Sequence, residues 1–387
     1  MRRFFVLLLV AGIGAFAIGL PARAAVINVP DDQPTIQAGI DAASHGDTVL
    51  VKPGTYSENL SLDDAVSLRA EFGADSTYLT CTFSDIIQIN SVPGDTVFID
   101  GFSLTNPKGR GVAAWSGLFV IENCRFVSTT GRNVHFSYVG TSGTIRYSTF
   151  IRSAGGGLEA ILIDLSPTLV VHHCVFYDLS SSHTIRVLSG TAHIYNNTFV
   201  GCRDGVYAPG GTTAIFNSIF LDIRGTAVDA AGGHISTNYN DFYANGLNVA
   251  GALVGDSSLF SNPLLLDTSS LDFRLTPASP CINAGVPGPV YNDPDGTRGD
   301  IGAFARLCAC YSQSDFDEDS SVSTLDLASF IDILFAGSPD IKDPWCPSPR
   351  GDFDCDGFDT ALDLSALIDH LFSGGAGPCD PCEFQGR

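Results

Sequence analysis

The sequence predicts an all-β chain, a right-handed parallel β-helix over residues 25–305, followed by a small α-helical unit over 308–387. Three observations predict it. A short phrase recurs between Thr96 and Gly246 with a period in the low twenties. Acidic residues and cysteines crowd into the tail. Within that tail a twelve-residue acidic string returns 37 residues after its first appearance.

The N-terminus comes first. Arg2 and Arg3 precede an uncharged apolar run, Phe4 to Leu20, and Ala22-Arg23-Ala24 flanks a cut before Ala25. That is the pattern of a secretory signal peptide over residues 1–24, and it predicts an exported, extracellular or surface-located chain. The run is barely long enough to span a bilayer, and no later segment approaches that length.

Charge excludes some partners. A net charge of −22 argues against nucleic acid and anionic membrane surfaces. From Cys308 to Arg387 there are 16 Asp/Glu against 3 Lys/Arg, so those carboxylates call for a cation. Six cysteines (Cys308, Cys310, Cys346, Cys355, Cys379, Cys382) share this segment, as a disulfide framework or, with Cys308-x-Cys310 and Cys379-x-x-Cys382, a zinc site.

The recurring phrase is an aliphatic residue, a small polar pair and Phe. It appears at Ile121–Phe126, Ile145–Phe150, Val171–Phe176, Ile194–Phe199 and Ile215–Phe220, and degenerates at Thr237–Phe242. Coils of this size cannot bury an apolar face alone and must stack. No Leu-x-x-Leu-x-Leu frame is present, so leucine-rich repeats do not fit. Cys124, Ser148, Cys174, Asn197, Ser218 and Asn240 form a small polar column suited to coil-to-coil hydrogen bonds. Cys124 and Cys174 fall two coils apart, about 9.6 Å, too far for a disulfide.

Solenoid ends need covers. Residues 34–43 read as a short amphipathic helix with Ile36, Ile40 and Ala43 on one face. The stretch from Ile27-Asn-Val-Pro to Tyr56, with Asn262-Pro-Leu through Asp300-Ile-Gly-Ala303 at the other end, resembles secreted pectin-lyase-like β-helix proteins. With the repeats the likeness covers roughly 26–305. It implies the fold and a link to extracellular polysaccharide, while enzymes and non-enzymes share this architecture.

A second strand column holds Val112, Val134, Ile161, Ile185, Val206 and Val228. If these point inward, the next residues point outward: Ala113, His135, Leu162, Arg186, Tyr207 and Asp229. His135, Arg186, Tyr207 and Asp229 are the candidate catalytic or sugar-binding set, with a raised Asp or a His as acid or base of a lyase or glycoside hydrolase. Any exposed sheet face carries polar residues, so a non-catalytic adhesive spacer fits as well. The Gly-His-Gly and Arg-Ile-Lys strings of the superfamily's galacturonan hydrolases do not occur. His172-His173 reads as a pair of solvent and turn histidines, since neighbouring strand residues face opposite ways.

In the tail, Asp315 to Asp326 returns as Asp352 to Asp363. Each copy has Asp at loop positions 1, 3, 5 and 12 and a hydroxyl at 9. Calcium takes six to eight oxygens, and alternating acids on a curled loop supply them. After each loop an apolar stripe follows at helical spacing: Leu327, Phe330, Ile331 and Leu334, then Leu364, Leu367, Ile368 and Leu371. No helical pattern in the sequence precedes either loop.

Loop plus following helix, twice, with Asp at position 12, resembles the dockerin family. The resemblance implies two Ca²⁺ sites: Asp315, Asp317, Asp319, Ser321 (by its carbonyl), Ser323 and Asp326; and Asp352, Asp354, Asp356, Phe358 (by its carbonyl), Thr360 and Asp363. It also implies attachment to a cohesin-like partner chosen at Thr324-Leu325 and Ala361-Leu362. Asp359 departs from the family's usual apolar residue at position 8.

Overall fold

The computed structural model describes residues 24–379 except 82–83, 91–95, 106–108, 128–130, 138–140, 152–157, 166–167, 181, 277, 295, 306–312, 318–320, 339–348 and 355–358. The signal-peptide segment 1–23, the loop residues Asp319, Asp356 and Phe358, and Cys308, Cys310, Cys346, Cys355 and Cys382 lie outside the described residues.

Most of the chain forms a parallel β-solenoid of about nine turns. Each turn contributes one short strand to each of three sheets. Sheet A has ten strands, from Val26–Val29 to His234–Asn238. Sheet B has nine, from Gly54–Ser57 to Asp241–Tyr243, and sheet C nine, from Leu60–Leu62 to Leu247–Ala250.

The repeated phrase explains this path. Its aliphatic residue faces inward on sheet A, where Ile99, Ile121, Ile145, Val171, Ile194 and Ile215 stand in register. Its Phe faces inward on sheet B. Phe126, Phe150, Phe176, Phe199, Phe220 and Phe242 stack with centroids 4.6–5.2 Å apart, all at most 2 % exposed. Burying each ring stabilises the stack by about 2–3 kcal/mol before entropy is counted.

Between sheets A and B the chain turns through one left-handed residue per coil: Asn123, Tyr147, His173, Asn196, Asn217 and Tyr239, with φ of 49–54°. Asn tolerates this region best, and the tyrosines and histidine adopt it under the constraint of the stack. The next residue is the small polar column, and it bonds from coil to coil. Ser148 Oγ accepts from Cys124 N (3.2 Å), Asn197 Oδ1 from Cys174 N (3.0 Å), and Ser218 Oγ from Asn197 N (3.2 Å). Asn240 Oδ1 accepts from Ser218 N at 2.9 Å. Cys124 and Cys174 are free, buried thiols, which burial pushes up to about 12.

The entry helix is Ile36–Ala42, with Thr35 as its N-cap and Ile36, Gly39 and Ile40 buried over the first coil. Residues 34 and 35 lie ahead of its first turn. The closing segment does more than cover the far end. Phe273 and Ala303 pack on Val175 and Val200, outward residues of sheet B. Ala303 N donates to Thr198 Oγ1 (2.9 Å) and Gly302 N to Asn217 O (2.8 Å). Sheet B's outer wall is therefore covered there.

Among the described residues of the tail there are two helices, Thr324–Ile331, continuing as a wider π-turn through Asp332–Ala336, and Ala361–Ser373. Left-handed Gly337 and Gly374 end them. Phe316, Phe330, Phe353 and Leu367 form their shared core. Phe316 and Phe353 sit one residue into each loop, so each loop anchors the helix pair.

Candidate functional sites

The outward row on sheet C is in register as the alternation predicts: Ala113, His135, Leu162, Arg186, Tyr207 and Asp229 stand on successive coils. His135, Arg186, Tyr207 and Asp229 thus share one wall. Ala113 and Leu162 are buried although they face outward.

A second row, missed in the sequence, accompanies them. Asp85, Arg110, Arg132, Glu159, His183 and Asp204 each precede an inward sheet C residue by two. That fixed offset is the signal that identifies them. Arg110 clasps Asp85 with two bonds of 2.7 Å and lies over the Trp115 ring at 4.8 Å. Glu159, 3 % exposed at its side chain, receives Arg132 Nε at 3.0 Å and Arg186 Nη1 at 2.9 Å. Burial by itself would raise the Glu159 carboxyl; its backbone hydrogen bond and the two arginines outweigh that and hold it below the usual range.

His135 has a defined proton position. Arg110 Nη1 lies 2.9 Å from His135 Nδ1, and a guanidinium only donates, so Nδ1 accepts and the proton sits on Nε2. Burial, then Arg132 and Arg110, push this imidazole down to about 4, so it is neutral at pH 7. Its Nε2 and Arg186 Nε are buried without a hydrogen-bond partner. The His183 ring stacks on Tyr207 at 4.1 Å, and Arg186 lies over the same ring at 5.7 Å. Asp229 Oδ1 accepts from Ala231 N. The wall carries ion-paired arginines and an aromatic face, while His135 has its only lone pair engaged. Such a surface suits binding better than proton transfer.

The tail holds the second site. Carboxylates of Asp315, Asp317 and Asp326 converge so that one oxygen of each lies within 4.8 Å of the others, and Asp352, Asp354 and Asp363 do the same. Asp315, Asp326, Asp352 and Asp363 are at most 1 % exposed. Like charges so placed and so buried repel unless a cation or proton offsets them. An all-oxygen donor set of this kind fits a hard divalent ion.

The position-12 acids also build the loops. Asp326 Oδ1 accepts from Phe316 N (2.7 Å) and Oδ2 from Ser323 N (2.8 Å); Asp363 repeats this with Phe353 N and Thr360 N, both 2.9 Å. Ser323 and Thr360 are the N-caps of the two helices, accepting from Leu325 N and Leu362 N at 3.1 Å. One carboxylate therefore closes the loop and completes a capping box.

The predicted apolar stripes are only partly inward. Phe330 and Leu367 are fully buried, but Ile331 and Ile368 are each 41 % exposed. They join Leu325 and Phe335 in one copy, Leu362 and Phe372 in the other, all solvent-facing and each pair 37 residues apart.

Among the described residues no helix is long and apolar enough to cross a membrane. No protein-family model matches the chain, and no curated protein matches it in sequence.

Proposed function

We propose that this is an exported two-part protein: a pectin-lyase-like, right-handed β-helix that binds extracellular polysaccharide, and a calcium-loaded, dockerin-like tail that attaches it to a cohesin-like partner. The observation that carries the reading is the duplication in the tail. Two acid clusters, two capping boxes and two exposed Leu-Ile-Phe sets recur at one spacing of 37 residues. Calcium would be held by Asp315, Asp317 and Asp326 with Asp319, Ser321 and Ser323, and by Asp352, Asp354 and Asp363 with Asp356, Phe358 and Thr360. It would supply the charge that lets each loop close on its helix. The exposed hydrophobic sets then face the partner.

On the solenoid, the sheet C wall supports the binding half. Arg186 beside the Tyr207 ring pairs a cation with a stacking face, a combination that suits an acidic sugar chain. The test is retention of the full-length protein on a panel of neutral and acidic polysaccharides. Binding to an acidic member, weakened in Arg186→Ala, is expected; shortened or desaturated product would add a reaction to the binding. Retention on none of them favours the second reading, a surface or matrix spacer, which the ion-paired character of the wall also suits.

A further inference from the structure

His172 and His173 do not behave as neighbours on a strand. His172 closes the sheet A strand Thr168–His172, and His173 takes the left-handed turn conformation, φ 53°. The turn breaks the strand alternation, and the two Nδ1 atoms meet at 2.8 Å. The expectation that the two rings face opposite ways is thus corrected by the turn. Tyr195 stacks on His172 at 5.0 Å, and Tyr147 tilts over His173 at 5.1 Å. Burial pushes both imidazoles down to about 4, with His173 and Arg146 adding to the effect on His172. Neither ring has another hydrogen-bond partner among the described residues.

Two imidazole Nδ1 atoms so close either share a proton or share a cation, because lone pair against lone pair is repulsive. Two nitrogens 2.8 Å apart, each about 2.0 Å from a common ion, subtend an angle of about 90° there. That is the cis angle of square-planar coordination, whereas tetrahedral zinc prefers a wider bite. We propose that His172 and His173 form a cis bis-imidazole site for a square-planar divalent ion of the copper class, with water completing the coordination. On binding, the shared Nδ1 proton relocates to Nε2 of the same ring, so neither imidazole changes charge. The site is chemically distinct from the all-oxygen loops of the tail and independent of the polysaccharide reading.

The test adds Cu(II) alone to the untagged, calcium-saturated full-length chain, read by equilibrium dialysis and by nitrogen hyperfine structure in electron paramagnetic resonance. His173→Asn is the informative variant, because Asn196 and Asn217 hold the same left-handed position in neighbouring coils. The wild-type chain should show a copper centre with two imidazole nitrogens. His173→Asn should lose that signature and weaken binding by at least roughly tenfold, and His193→Gln, at an exposed position of the sheet A strand Thr191–Tyr195, should keep both. Equal copper binding by wild type and His173→Asn, or no imidazole signature in the wild type, overturns the proposal and leaves the pair as a hydrogen bond.

Discussion

Gly143 lies directly opposite Phe119 in the parallel register of sheet A, and a β-carbon at 143 would overlap the Phe119 ring. Phe119 is 2 % exposed and stacks on Phe136 at 4.4 Å, so the ring cannot swing away. Gly143→Ala is expected to destabilise the solenoid by about 1–3 kcal/mol in denaturant unfolding. Adding Phe119→Leu should recover part of the loss; an unchanged midpoint in the single variant would contradict the assignment of this coil.

The turn ladder gives a second prediction. Asn197 accepts from Cys174 N and donates to Val171 O and Tyr195 O, each at 2.9–3.0 Å, in a fully buried site. Asn197→Ala should cost about 1–3 kcal/mol for each buried group left unsatisfied. Asn197→Ser should cost less, because Ser148 and Ser218 serve the same column. Equal losses in thermal unfolding would count against the ladder.

Asp241 sets a pH dependence. It is buried against Cys281 at 3.4 Å, and burial pushes its carboxyl up to about 6 from an ordinary 3.8. The folded state holds this proton after the unfolded chain has released it. The associated stability is therefore present below about pH 4 and lost as pH rises through about 6, by at most about 3 kcal/mol. Asp241→Asn should flatten the stability profile across that window. A slope equal to wild type would refute the linkage.

Glu159 joins Arg132 and Arg186 across sheet C. Glu159→Gln removes the charge from a site where two guanidinium groups remain, and should destabilise by about 1–3 kcal/mol. It should also weaken polysaccharide retention by freeing Arg186 from its fixed orientation. Retention unchanged in a folded Glu159→Gln protein would separate the ion pair from the binding wall.

The sequence made the repeat legible because its period, its Phe column and its small polar column are each one residue deep in every coil. Parity then placed His135, Arg186, Tyr207 and Asp229 correctly on one wall. Parity failed wherever a left-handed residue intervenes. His172 and His173 converge for that reason, and Arg110, Arg132 and Glu159, lying in the turns before sheet C, had no alternation to mark them. In the tail, helical spacing identified the apolar stripe but not its centre: Phe330 and Leu367 take the core, and Ile331 and Ile368 rotate outward. Which face a duplicated helix offers to a partner depends on how the two copies pack, and spacing within one copy does not contain that.

Calcium loading of the two tail loops is tested by a calorimetric calcium titration of the full-length chain against Asp315→Asn and Asp352→Asn variants. The wild type should bind two calcium ions, each single variant one and the double variant none, with a gain of helical circular dichroism that follows the occupied loops. A double variant that still binds two ions, or a wild-type chain that binds none, would contradict it.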